Sequence, residues 1–345
     1  MVSLSISDKL YLISNLATLL SSGIPILEAI DSLIPETSGN SRKILKTLRQ
    51  DMNQGQTISQ SFSRYPKAFD PITVNLIKAA EEAGTLETIL KDLVKTIKKD
   101  IDFINKVKSA LTYPILVLII LFLVLVINLF FVIPRIAQVF SRLHVPTPLP
   151  TKILIATSKL VVDNTLLSIA ALIAFLLLIL IIVKTQKAIF LGILGIIPPV
   201  NKLLTEIDLT RFTRSLALLL KSGIPITDSL KLTQNVVNKR KIEKIIAHAS
   251  QEVAAGRKLS DGLKDNKIIP NFMIRVTQAG EISGTLEQSM QELSEQFDDR
   301  VTQRVKNLTV LLEPLLLLIV GILVGAIMLA IIAPIYNLIS NIKSR

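Results

Sequence analysis

The chain has no cysteine and no tryptophan, and its 345 residues include only two histidines and four tyrosines. The missing cysteine excludes a disulfide framework, a thiolate metal site and a cysteine nucleophile. Neither His144 nor His248 has a second histidine at ligand spacing, and His248 reads as a solvated or bundle-packed residue rather than a metal ligand. There is no G-x-x-x-x-G-K-[ST] loop, since Gly256-Arg-Lys stands in a helical context without that spacing, and no G-x-S-x-G elbow. Aromatic residues make up 5% of the chain, too few for the basic–aromatic platforms that hold nucleic acid, so no direct nucleic-acid partner is expected. Sustained period-two alternation is also lacking, and strands are not expected. The first 110 residues are polar and amphipathic, so no signal peptide is expected. These absences leave no catalytic, cofactor-binding or metal-binding residues to name, and the protein reads as a non-enzyme.

Charge is missing in long runs. Ile115–Ile133 and Thr165–Val183 each have 19 residues without a charge, and none occurs from Pro314 to Ile342. About 20 apolar residues cross a bilayer core. Buried helices of a soluble protein usually carry polar interruptions, which these runs lack. Three transmembrane helices are therefore expected. The shorter run Ala188–Val200, with Pro198 and Pro199, extends or follows the second. Half of the chain is hydrophobic and mean hydropathy is +0.54, yet the net charge is +12. That charge suits a basic cytoplasmic surface beside anionic headgroups, or an acidic protein partner. Residues 90–110 carry six lysines ahead of the first span, against three basic residues in 134–155 after it. The flanks of the other spans lean the same way, which places the N-terminus in the cytoplasm and the C-terminus outside. The expected organisation is a cytoplasmic helical bundle at 1–110, spans at 111–133, 165–183 and 311–335, a short external loop at 134–164, a second bundle at 184–310 and an external tail at 336–345.

What the chain does have, it has twice. Leu16–Ile30 (LATLLSSGIPILEAI) and Leu216–Leu230 (LALLLKSGIPITDSL) share nine of fifteen residues at an offset of 200. In each, an apolar helix ends at Ser-Gly, with Gly23 or Gly223 suited to a left-handed C′ position. Pro25 or Pro225 then fits the first position of a new helix. Further pairs keep the offset within one residue: Gly55–Ser59 with Gly256–Ser260, Glu81–Glu87 with Glu281–Glu287, Tyr113-Pro114 with Glu313-Pro314, and Pro134 with Pro334. The unit is a helical bundle followed by a span, and the second span returns the chain between copies. Within the first copy, helices are expected to Ser21, from Pro25 to about Leu33, from about Ser41 to Asn53, from Thr57 and up to Ala83. A sixth opens at Thr85 and meets no breaker until Pro114.

These motifs resemble the type II secretion system F family, the inner-membrane platform proteins of type II secretion and type IV pilus machines. The doubled Ser-Gly-Ile-Pro turn, Gly280-Glu-Ile-Ser-Gly-Thr-Leu-Glu287, Tyr113-Pro114 and Glu313-Pro314 carry the resemblance over nearly the whole chain. It implies an all-α membrane protein with two homologous six-helix cytoplasmic bundles, three transmembrane helices and a homo-oligomer in the bacterial inner membrane. The implied partners are a cytoplasmic hexameric assembly ATPase, pilin or pseudopilin subunits and other inner-membrane assembly proteins. A small membrane transporter or channel component is the alternative, disfavoured by only three spans and two large polar regions. Where the family often has Gly, the first copy has Ala80, so its fifth helix is expected to close differently.

Candidate residues follow from these pairs. Gly84-Thr85 and Gly284-Thr285 read as a helix stop and a new N-cap, with Gln288 completing a capping box in the second copy. Glu81 and Glu281 belong to that junction or contact a basic residue of a partner; Glu87, Gly280 and Glu287 complete the signature. Glu313 begins an apolar run and is either an interfacial anchor or a contact for a charged pilin segment. Gly321 and Gly325 form G-x-x-x-G, which allows close helix packing within or between protomers.

Overall fold

The computed structural model describes residues 2–135, 137–138, 152, 156, 158–160, 162–164, 170, 174, 198–264 and 266–343. Nearly all of the predicted second span and more than half of the predicted external loop lie outside these residues, as does His144. No strand occurs among the described residues, and the fold is all-α.

In the first copy the helices are α1 (Ile6–Ser21), α2 (Ile26–Glu36), α3 (Gly39–Asn53), α4 (Ile58–Ser63), α5 (Pro71–Ala83) and α6 (Leu86–Ile127). The second copy contributes α7 (Pro198–Lys221), α8 (Ile226–Thr233), α9 (Arg240–Ala254), α10 (Leu259–Leu263), α11 (Asn271–Ser283) and α12 (Leu286–Lys343). The doubled turn has one geometry in both. Gly23 (φ 79°) and Gly223 (φ 76°) are left-handed. The N–H of Ile24 donates to Leu19 O at 3.1 Å and that of Ile224 to Leu219 O at 3.1 Å. This is the Schellman bond that satisfies a helix's last carbonyls. Pro25 and Pro225 occupy the N-cap rather than the first helical position. The Pro25 carbonyl already accepts the N–H of Ala29, so the ring's fixed φ sets the helix entry from outside it.

Two compact units divide the chain, Met1–Lys106 with Pro198–Gln303, and Val107–Ile197 with Arg304–Arg345. The first unit contains both repeated bundles, each with its own core. One core holds Leu12, Leu16, Ile30, Leu45, Phe62 and Leu76, with Phe62 and Phe69 stacked at 3.8 Å. The other holds Phe212, Leu216, Ile246, Met273, Met290 and Phe297. The periodicity of α6 is as the sequence implies: Ile89, Leu90, Leu93 and Ile97 are buried, while the lysines between them face outward. Leu219 of the second copy is fully buried, and it belongs to the first copy's core. Leu218, Ile224, Leu232 and Val236 pack there too. The two bundles are therefore fused by a shared apolar contact.

The described residues of the second unit lie mostly in the apolar parts of α6 and α12. The most apolar 18 residues within Ile115–Arg135 have mean hydropathy 3.5 and those within Leu286–Ile322 have 1.9, and both helices are long and apolar enough to cross a membrane. Large apolar side chains such as Ile119, Leu123, Leu317 and Ile322 are exposed on it. Asn128 donates to the Val124 carbonyl at 2.9 Å, so its amide is paired on its own helix. A π-helical turn, Asn128–Val132, follows α6. Neither Pro114 nor Pro314 ends its helix, and α12 also runs through Pro334.

Candidate functional site

The two signature segments fold into the same brace. Helix α5 stops at Gly84 (φ 67°) and α11 at Gly284 (φ 72°). Thr85 N–H donates to Ala80 O at 2.8 Å, and Thr285 N–H to Gly280 O at 2.9 Å. The expectation that Ala80 changes this closure is not met. What differs is packing: a Cβ on Gly280 would lie 2.3 Å from Ser289 Oγ, whereas Ile89 stands at the matching place beside Ala80. The hydroxyl of Thr285 lies 2.6 Å from Ser283 Oγ rather than capping α12.

One turn before each glycine, the glutamate reaches across to a different helix. Glu81 accepts the N–H of Ile58 (2.6 Å), the N–H of Ser59 (3.1 Å) and the Ser59 hydroxyl (2.7 Å). Glu281 likewise accepts the N–H groups of Leu259 and Ser260. A carboxylate at a helix start satisfies donors with no intrahelical partner and meets the positive end of the helix. Both glutamates thus lock α5 to α4 and α11 to α10, and their oxygens are already engaged by their own bundle. The sequence did hold a signal for this. Gly-x-x-[Ile/Leu]-Ser recurs with the glutamate at nearly constant separation, and segments that recur together are candidates for contact.

Glu87 bonds Lys91 at 2.6 Å on the exposed face of α6. Glu287 lines a cleft of about 230 Å³ between the bundles, with Asp92, Lys95, Lys99, Arg214 and Lys221. In the second unit Tyr113, Glu313 and Pro314 are exposed. A Cβ built on Gly321 or Gly325 meets nothing within 4 Å, so neither glycine serves a close contact among the described residues.

The junction of the bundles centres on Arg214, a residue the motifs did not single out. Its nearly buried guanidinium donates to Asp100 of the first copy at 2.8 Å and to Asp298 of the second at 3.0 Å. Lys221 reaches Asp92 at 2.6 Å, and Lys99 lies 3.7 Å from Glu295. Burial pushes the Asp100 carboxyl up, more than the charges of Arg214 and Arg211 pull it down. A sequence signal existed here as well. At the constant offset, Ser14 becomes Arg214, Ser21 becomes Lys221 and Lys98 becomes Asp298. These breaks in the repeat coincide with the junction, where the two copies contribute different side chains. No cluster of three His, Cys, Asp or Glu able to hold a metal occurs among the described residues.

Comparison with known proteins matches this architecture twice. The family model for type II secretion system protein F matches residues 12–134 and 212–334. The type IV pilus assembly protein PilC of Myxococcus xanthus is 26% identical over 295 residues, 84% of this chain and 70% of that protein. PilC of Thermus thermophilus is 30% identical over 284 residues, 81% of this chain and 70% of that protein. Type II secretion system protein F of Pseudomonas aeruginosa is 27% identical over 290 residues, 83% of this chain and 72% of that protein. With both repeats matched in full from α1 or α7 into an apolar helix, the chain belongs to the type II secretion system protein F family.

Proposed function

We propose that the protein is an inner-membrane platform of a type IV pilus or type II secretion machine. In this reading it couples a cytoplasmic hexameric ATPase to the insertion of pilin or pseudopilin subunits into a fibre. It acts as a scaffold and not as an enzyme, works as a homo-oligomer, and crosses the membrane three times with its N-terminus in the cytoplasm and its C-terminus outside. The observation that carries the reading is the duplicated unit. Both matched segments begin in a bundle helix and end in an apolar one, and α6 and α12 each combine a core-forming part with an apolar part in one unbroken helix. In this reading the continuous helix passes a displacement of the bundle on to its apolar part. The contact of the two bundles through Leu219 and Arg214 supports their acting as one body. Glu313, exposed beside Pro314, lies in this reading at headgroup depth, where it anchors α12 or meets a charged pilin segment.

Deletion of the gene tests the reading. Surface fibres, or secretion of their cargo, should be lost and return on complementation, and the purified full chain should retain the assembly ATPase of the same cell. Normal fibres and normal secretion in the deletion strain would overturn it.

A further inference from the structure

The second bundle carries a basic patch where α9 begins. Lys239, Arg240, Lys241 and Lys244 fall within six residues, with Glu243 the single acid among them. Arg240, Lys241 and Lys244 are exposed and form no ion pair among the described residues. The patch is held in place from beneath. Ile242, inside the run, is fully buried in the core. Asp208, also buried, accepts the N–H of Asn238 at 3.1 Å and of Lys239 at 2.8 Å. The Lys239 ammonium donates to the carbonyl of Asn201 at 2.7 Å, to the Asn201 side chain, and to the Thr205 hydroxyl at 2.6 Å. These bonds tie the loop before α9 to the first two turns of α7. Those turns follow directly on the apolar run Ala188–Val200, and exposed Lys202 is their first charged residue. In the first bundle the residues matching 239–241 are Ser38-Gly39-Asn40, without charge, at the offset of 201 that relates Gly55 to Gly256, while Arg42 and Lys43 stand where the second copy has Glu243 and Lys244. Lys239, Arg240 and Lys241 thus have no charged counterpart in the first copy, whereas Lys244 does.

We infer that Lys202, Arg240, Lys241 and Lys244 form a docking surface for anionic lipid headgroups at the start of α7. The inference rests on the proposed membrane placement. Charge complementarity favours lipid over a protein partner, because the patch is nearly all of one sign and is tied to the helix that follows the apolar run in sequence. Each cation brought to an anionic surface strengthens attachment by about fivefold. The Lys239 bracket supplies what a loose basic loop lacks, a fixed distance between the cations and the start of α7.

The test uses the full chain in nanodiscs of phosphatidylcholine alone and of phosphatidylcholine with phosphatidylglycerol, followed by amide hydrogen exchange. Peptides covering 238–244 should exchange at least about fivefold more slowly in the anionic discs. High salt should reverse this. The combined Lys202→Gln, Arg240→Gln and Lys241→Gln variant, checked for an unchanged melting temperature, should lose the protection. Equal exchange of 238–244 in both discs, with residues 115–133 protected, would overturn this inference alone. Free exchange of 115–133 in both discs would overturn the membrane placement and this inference with it. Protection by an added acidic polypeptide but not by anionic lipid would reassign the patch to a protein and also overturn the inference.

Discussion

The two bundles are built on one plan and differ most where they touch. Turn, brace and helix closure recur with nearly the same bonds: Gly23 with Gly223, Glu81 with Glu281, and Gly84 with Gly284. Differences gather on the shared face. Leu219 is fully buried in the other bundle's core, whereas Leu19, at the same place in the doubled turn, is only half-buried. A duplicated sequence keeps what each copy needs to fold alone and changes what it needs to pair. The sharpest way to break this comparison is to truncate both leucines. Leu219→Ala should cost about 3 kcal/mol, within the range for buried leucine in cores, and Leu19→Ala about 1 kcal/mol. Thermal unfolding of the full chain in detergent reads the difference. Equal losses would mean that the two cores are not joined through Leu219.

Arg214 tests the polar half of the same junction. Arg214→Ala leaves Asp100 and Asp298 without their shared cation. Removing one partner of a buried pair costs about 3 to 5 kcal/mol, but both acids are partly exposed and water recovers some of this, so about 2 kcal/mol is expected. Arg214→Lys should restore less than half of the loss, since one ammonium cannot match a planar fork that serves two carboxylates. Full restoration by lysine would point to charge alone rather than to the bidentate geometry.

The braces should show the opposite behaviour, equality. Glu81→Ala and Glu281→Ala each strand two backbone N–H groups at a helix start, and charge-assisted bonds of this kind contribute about 1.5 kcal/mol or more. Each variant should lose close to 2 kcal/mol, with the pair agreeing within about 0.5 kcal/mol. A large loss for one and none for the other would show that one glutamate faces a partner instead.

Local devices were legible in the sequence and long-range ones only through the repeat. The helix ends at Ser21, Asn53 and Ala83 fall where glycine and capping signals put them, because those signals act within a few residues. Helix α2 runs to Glu36, past the expected end near Leu33, since Pro35 leaves the preceding turns intact. The glutamate brace spans more than twenty residues, and no single-helix rule reaches that far. Ala80 raised an expectation of altered closure because the motif compares residue types, while closure depends on the glycine four residues later. Arg214 went unmarked because it lies two residues ahead of Leu216, where the identical positions of the doubled turn begin.

The smallest difference between the copies concerns the start of the fifth helix. In the first, Asp70 caps α5: it accepts the Thr73 N–H at 2.9 Å and binds Lys9 at 2.8 Å. In the second, Pro270 stands at the cap of α11 with no side-chain bond. Burial pushes the Asp70 carboxyl up, but the charge and hydrogen bond of Lys9, with the two bonds to Thr73, outweigh it, and the net value lies below the ordinary 3.8. A lowered value in the folded state means that the ionised carboxylate stabilises the fold above about pH 4, and that this contribution fades as pH falls through the folded value. Asp70→Asn keeps an acceptor for the cap but removes the titration. At pH 7 it should cost a few tenths of a kcal/mol, about the weight of an exposed ion pair. The unfolding midpoints of the two proteins should then converge as pH drops from about 4 toward 3, because the wild-type carboxyl becomes neutral like the amide. A gap that stayed constant over that range would assign the stabilisation to the shape of the cap and not to its charge.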